Sequence, residues 1–268
     1  MNILTAIILG AVQGITEFLP VSSSGHLVLL QKIFGIDEPA LFFDTMLHVG
    51  TLTAVVLVLW CDIWAILKKI IQPLTLYVII GTIPAVIFAL LLKDSIESAF
   101  ESGKFLGFAF ITTAIILCVA EYLSKKGDVL KKDDEMNWLD AFIIGIMQAV
   151  AIIPGVSRSG ATISGAISRK LNREFAARFS FLLSIPAILG AAVLQTKDII
   201  KIDANETVIN TGAVIAGTLT AAITGFFAVR FMIKIIKEKS LWGFAVYTGI
   251  LGVLVLFDQY VSKFVNWL

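Results

Sequence analysis

The sequence predicts an all-α integral membrane protein made of two inverted-topology repeats, each a re-entrant helical hairpin followed by three transmembrane helices. Three observations lead there: an apolar excess, an internal duplication, and an uneven placement of lysines and arginines. Of the 268 residues, 58% are hydrophobic and 15% charged, and the mean hydropathy is +0.93. A soluble domain carries about 45–50% apolar and about 25% charged residues. The 21 basic and 20 acidic side chains cannot clothe a soluble surface, so the apolar excess calls for lipid as its solvent. A net charge of +1 gives no basic footprint for nucleic acid. Cys61 and Cys118 stand far apart in apolar surroundings and make neither a metal motif nor a disulfide framework. Met1-Asn2-Ile3-Leu4 lacks the basic start of a signal peptide, so the first apolar stretch is expected to stay in the mature protein.

The duplication appears on shifting the chain by 135 residues. Leu4, Ala6, Ile8, Gly10, Gln13, Val21, Ser22, Ser24 and Gly25 then fall on Leu139, Ala141, Ile143, Gly145, Gln148, Val156, Ser157, Ser159 and Gly160. That is nine identities in the 22 positions from Leu4 to Gly25, where chance gives about two. With one residue inserted the register continues: Ile79, Gly81, Thr82, Ala85 and Ile87 match Ile215, Gly217, Thr218, Ala221 and Ile223. Shared small-residue bias among membrane helices is the competing explanation; a shift near half the chain length favours duplication. The chain reads as one membrane domain over 1–268, with a first repeat over 1–123 and an inverted second repeat over 137–268.

Each repeat opens with a segment broken by Pro and Ser, about 1–34 and 138–171. The apolar runs Asp44–Leu67, Thr75–Leu92 and Phe105–Ala120 follow the first, and Phe179–Thr196, Thr207–Val229 and Leu241–Phe257 the second. Runs of about 17–25 residues cross the hydrocarbon. The broken segments are too short on each side for two crossings and are expected to be re-entrant hairpins; a full span with an interfacial helix is the alternative. Three crossings per repeat is an odd number, so the second repeat must enter inverted. One set of loops, from Lys68 to Lys239, holds 14 lysines and arginines, and the other holds six: Lys32, Lys93, Lys104, Lys197, Lys201 and Lys263. The larger set belongs in the cytoplasm, which leaves both termini outside. The hairpins would then dip in from opposite faces and meet near the midplane around a polar site.

The first hairpin places Gln13 and Glu17 four apart on one helix face. Pro20 stops that helix, and Ser22 or Ser23 suits the N-cap of the next. Ser23 and His26, three apart, can meet on one face of the second half-helix. A carboxylate, a hydroxyl and an imidazole beside the positive end of a helix suit phosphoryl transfer. The plainer readings are a paired Glu17, a packed His26 and serines that only cap a turn. A carboxylate in an apolar segment is nevertheless functional by default. The second hairpin repeats the break at Pro154 but changes the chemistry: Glu17, Ser23 and His26 align with Ile152, Arg158 and Ala161. Arg158 is the lone charge between Ala141 and Ser168 and demands an anion. That anion is either a phosphate, backed by a helix N-terminus with Ser157, Ser159 and Thr162, or Glu17 in an internal ion pair. Asp44 and His48 either extend the site or lie at the interface. The basic run Arg169 to Arg178 is expected to set topology or touch anionic headgroups. Lys125 to Glu135 is expected to be a solvated loop.

These two stretches resemble the undecaprenyl-pyrophosphate phosphatase family, the bacitracin-resistance proteins of bacteria. The resemblance rests on Gln13, Glu17 and Pro20 through His26, then on Pro154 through Gly160 with Thr162. It implies hydrolysis of undecaprenyl pyrophosphate to undecaprenyl phosphate and inorganic phosphate, recycling the carrier lipid for peptidoglycan synthesis. It also implies a divalent cation (Mg²⁺ or Ca²⁺), the bacterial plasma membrane, membrane lipid as a partner, and a homodimer as the assembly to test. By the same resemblance Ser23 is the nucleophile, His26 its base or an acid, Glu17 the metal or water partner, and Arg158 the phosphate clamp. Gln13, Ser22, Ser24, Gly25, Ser157, Ser159, Gly160 and Thr162 then bind substrate. Many members carry glutamate where this chain has Gln13, so binding is expected there. An anion transporter is the rival reading, since inverted repeats with broken helices are a transporter design. Transport alone has no need of Ser23, His26 and Glu17 together.

Overall fold

Helix boundaries follow local chemistry in the computed structural model, which describes residues 1–36, 41–92, 95–96, 98, 103–124, 130–199, 210–265 and 267. Asn2 accepts the Thr5 N–H at 2.8 Å and starts α1, Ile3–Phe18. Asn137 caps α7, Trp138–Val150, with Asp140 bonding back to the Asn137 N–H. Asn210 caps α10, Thr211–Glu238. Between them run α2 (Ser23–Ile33), α3 (Leu41–Val58), α4 (Trp60–Lys68), α5 (Pro73–Leu91), α6 (Leu106–Ser124), α8 (Arg158–Ser168) and α9 (Arg173–Ile199), with α11 (Trp242–Phe257) last. Among the described residues there is no β-strand, only an isolated bridge between Lys131 and Leu171.

Among the described residues five helices are long and apolar enough to cross a membrane, and a sixth crossing is available if α3 and α4 count as one span. The continuous run expected over Asp44–Leu67 is corrected here, because α3 and α4 bend by 77° at Leu59. The reason is interfacial chemistry: Trp60 stacks on Trp64, Lys68 lies over the Trp64 ring, and Asp62 pairs with Arg178 at 2.5 Å. Such groups hold a helix at a membrane boundary. Helix α10 runs on past Val229 to Glu238, and 207–209, where that run was expected to begin, lie outside the described residues. So do Lys93, Lys125, Lys126 and Lys201, together with the side chain of Lys197.

The packing crosses between the halves. α1 lies against α10, and its counterpart α7 lies against α5, the counterpart of α10; α6 packs on α11. Small residues permit the close approach. A Cβ on Gly10 would meet the Gly217 carbonyl oxygen at 2.3 Å, and one on Gly14 would meet Thr224 Oγ1 at 2.0 Å. The main core gathers Phe18, Ile144, Ile163, Phe179, Phe181, Leu183 and Met232. Phe18 meets Phe181 edge-on at 5.3 Å. On the outside, Ile215, Leu219, Ile223, Phe227 and Phe231 form an exposed stripe along α10, as a lipid-facing helix requires.

Two arginines of the basic run have internal partners. Arg169 Nε donates to Asp140 Oδ1 at 2.7 Å, Lys131 holds both Asp140 oxygens, and Arg173 grips both Glu121 oxygens at 2.8 and 2.7 Å. Asp140 and Glu121 are 0% and 1% exposed, so these cations neutralise buried carboxylates. Lys131 and Asp133, expected in a solvated loop, are drawn into this network through Asp140 and Asn172. Glu121 also accepts the Leu241 N–H at 2.6 Å, joining α6 to the start of α11. Replacing Glu121 with alanine takes the carboxylate from Arg173 and the acceptor from that N–H, and should cost about 3–5 kcal/mol. A lowered melting temperature in detergent, compared with an exposed control such as Glu135→Ala, checks this.

Candidate active site

Two broken helices meet at their tips. At the first, α1 ends at Phe18, and the chain turns through Leu19, Pro20 and Val21 to Ser22. Ser22 sits at φ 72°, ψ 93°, a left-handed conformation that costs a non-glycine residue about 1–3 kcal/mol and must be held by its surroundings. Its Oγ accepts the Gly25 N–H at 3.2 Å, capping α2. Gly25 is required by space, since a Cβ there would lie 2.7 Å from the Phe110 ring. At the second tip, Gly155 has φ +86°. Ser157 caps α8 by accepting the Gly160 N–H at 3.0 Å, while its own N–H donates to Thr113 Oγ1 at 3.0 Å. The tips are stitched together: Ser159 Oγ donates to the Leu19 carbonyl at 2.8 Å, and Ser24 Oγ accepts the Gly155 N–H at 3.4 Å. Two helix N-termini thus open onto one place, a favourable setting for an anion.

Glu17 is the hub. Its Oε1 accepts from Arg158 Nη2. Its Oε2 accepts from Ser23 Oγ at 2.5 Å and from Gln13 Nε2 at 3.0 Å. Gln13 Nε2 also donates to His48 Nδ1 at 3.0 Å, and His48 Nδ1 lies 3.6 Å from Glu17 Oε2. Two buried atoms in this cluster have no partner among the described residues: Arg158 Nη1, a donor, and Gln13 Oε1, an acceptor. Leaving such groups unsatisfied costs about 1–3 kcal/mol each, so the cluster is built to receive a ligand that accepts from the arginine and donates to the amide, or carries a cation to it. Glu17 is buried, whereas Ser23, Ser24 and Arg158 are partly open, which sets the side from which a ligand enters.

The sequence-derived residues therefore divide. Gln13, Glu17, Ser23 and Arg158 converge, and Ser22, Gly25, Ser157 and Gly160 form the two caps. Ser24 and Ser159 bridge the tips. Thr162 Oγ1 turns away, donating to the Arg158 carbonyl at 2.8 Å and bonding Ser180 Oγ at 2.6 Å, and so braces α8 from behind. The meeting of Ser23 with His26 is not formed. The Ser22 turn aims Ser23 at Glu17, while His26 bonds the Ser22 carbonyl through Nδ1 and Tyr247 through Nε2, each at 2.7 Å. Arg158 takes the internal partner that was the alternative to phosphate. His48 joins the cluster, but Asp44 does not, since it accepts from Gln31 Nε2 at 2.8 Å. Tyr247 and Thr113 had no signal in the sequence, being ordinary residues of apolar runs.

Residues 6–254 match the family described as bacitracin resistance protein BacA. The chain belongs to the BacA family. Among curated relatives of this BacA-family chain, an undecaprenyl-diphosphatase of Carboxydothermus hydrogenoformans is 50% identical over 264 residues, covering 98% of this chain and all of the relative. Undecaprenyl-diphosphatase 4 of Bacillus thuringiensis is 47% identical with the same coverage. An undecaprenyl-diphosphatase of Methanosphaera stadtmanae is 42% identical over 278 residues, covering 96% of this chain and 98% of the relative. With its apolar helices, this BacA-family chain is a multi-pass membrane protein.

Proposed function

We propose that this chain hydrolyses undecaprenyl pyrophosphate to undecaprenyl phosphate and inorganic phosphate, returning the carrier lipid to peptidoglycan synthesis and conferring bacitracin resistance. The observation that carries this reading is the Ser23–Glu17–Arg158 cluster at the joined tips, with one donor and one acceptor left open for a ligand. The names of relatives at 42–50% identity point the same way.

The chemistry follows from the contacts. An arriving diphosphate takes Arg158 from Glu17, because the guanidinium can hold phosphate through Nη1 and Nη2 together. Glu17, relieved of its cation, accepts the Ser23 proton through the hydrogen bond already formed. Ser23 Oγ then attacks the terminal phosphorus, the anhydride bond breaks, and undecaprenyl phosphate leaves with the electron pair. Glu17 passes the serine proton to the departing phosphate. A water then gives a proton to the freed carboxylate as its oxygen attacks the phosphoserine. The Oγ–P bond breaks, and Ser23 Oγ leaves with the electron pair and takes that proton back. Phosphoryl transfer asks mainly for positioning and charge neutralisation, which the helix N-termini and Arg158 supply.

The donors also suit a divalent cation, Mg²⁺ or Ca²⁺, brought with the substrate. Glu17 and the open Gln13 Oε1 are hard oxygen ligands, and no group of three His, Cys, Asp or Glu among the described residues forms a cage by itself. Mg²⁺ is commonly held by one or two carboxylates together with substrate phosphates. Bound there, it would neutralise charge on the diphosphate.

The exchanged packing, α1 on α10 against α7 on α5, supports two inverted repeats over 1–123 and 137–268. In that arrangement the hairpins re-enter from opposite faces, with both termini outside. Purified protein in detergent is expected to release one phosphate per undecaprenyl pyrophosphate, and EDTA to suppress the release. Binding of the lipid without phosphate release would favour the transporter.

A further inference from the structure

We propose that Tyr247 is a positioning residue for this site: its hydroxyl locks His26 so that the imidazole clamps the Ser22 carbonyl and takes no proton from Ser23. The argument begins with hydrogen-bond polarity. His26 Nδ1 lies 2.7 Å from the Ser22 carbonyl oxygen, which can only accept, so Nδ1 carries the hydrogen. In the neutral ring Nε2 then holds the lone pair and accepts from Tyr247 Oη at 2.7 Å. In the charged ring both nitrogens donate along the same two lines. Either way no ring nitrogen is left for Ser23, whose proton already has an acceptor in Glu17 Oε2 at 2.5 Å.

The ring is fixed as firmly as its nitrogens. Tyr247 stacks on His26 with ring centroids 5.7 Å apart and planes 8° from parallel, and Phe110 closes the edge at 5.4 Å and 82°. What this clamp holds is the left-handed Ser22, whose carbonyl also accepts the His26 N–H at 3.2 Å. Ser22 in turn decides where Ser23 Oγ points. The duplication supplies an independent sign that the two residues work as a unit. The positions that mirror His26 and Tyr247 hold Ala161 and Ile111. The imidazole and the phenol are therefore both present at the tip that bears Ser23, and both missing at the tip that bears Arg158.

The inference uses the proposed phosphatase reading for its activity arm only, so the test has a second readout. The chain holds two histidines, and the imidazole ¹⁵N spectrum in detergent, assigned with His48→Gln, reports the tautomer directly. Wild type is expected to show His26 protonated at Nδ1, and Tyr247→Phe to move the Nε2 resonance. Tyr247→Phe should lower kcat about tenfold, the loss of one hydrogen bond, with KM little changed. His26→Asn keeps an amide N–H where Nδ1 stood but cannot act as a base, so it should turn over well above His26→Ala and His26→Gln. A wild-type His26 protonated at Nε2 alone would overturn the proposal. So would His26→Asn as inactive as His26→Ala while melting like wild type. The spectrum needs no turnover, so a protein without phosphatase activity would still decide it.

Discussion

Arg158→Ala is expected to lower kcat/KM for phosphate release by roughly 10³-fold or more, the scale of a transition-state arginine in phosphoryl transfer. The side chain has two tasks. Without ligand it neutralises Glu17, a carboxylate only 6% exposed; with ligand it is the one lysine or arginine among the described residues that reaches the cluster at the tips. Removing it leaves Glu17 buried without its guanidinium partner, so a lower melting temperature should accompany the loss of activity. Arg158→Lys separates the two tasks. A lysine restores the charge but not the planar two-nitrogen fork. It should recover most of the melting temperature while leaving phosphate release far below wild type. Recovery of both would mean that charge alone matters and that the open Nη1 has no function.

Glu17→Gln is the second large effect and has a less intuitive signature. The amide keeps the volume, and with its single oxygen accepting from Arg158 its NH2 can donate to Ser23 Oγ, so the fold should hold. It cannot take up the serine proton, and loss of general-base assistance lowers kcat by about 10²–10⁴-fold. The same change removes the anion that competes with substrate for Arg158. Inorganic pyrophosphate, titrated in EDTA so that no cation intervenes, should therefore bind more tightly to Glu17→Gln than to wild type. Weaker binding would show that Glu17 does not restrain the arginine.

Much of the site was legible because membrane segments make polarity expensive. Glu17 and Arg158 stood out as charges in apolar runs, Pro20 and Pro154 marked both breaks, and the 135-residue shift set one tip opposite the other. What stayed hidden depends on contacts distant in the chain. Glu121 and Asp140 sit near the ends of apolar segments, and nothing in their spacing indicates that Arg173 and Arg169 will fold over them. The α3–α4 bend comes from a tryptophan pair and an ion pair to α9, neither visible to a hydropathy window. For Ser23 and His26 the i, i+3 spacing suggested a meeting. The φ of Ser22 and a tyrosine from the other half sent the two side chains elsewhere.

The central claim is that Ser23, aimed by the first tip and relieved of its proton by Glu17, attacks a phosphate held by the second tip. The most direct test is phosphate release from undecaprenyl pyrophosphate by purified wild type and by Ser23→Ala at matched folding. Wild type should release one phosphate per lipid while Ser23→Ala releases none above background. Release by Ser23→Ala at the wild-type rate would contradict the account.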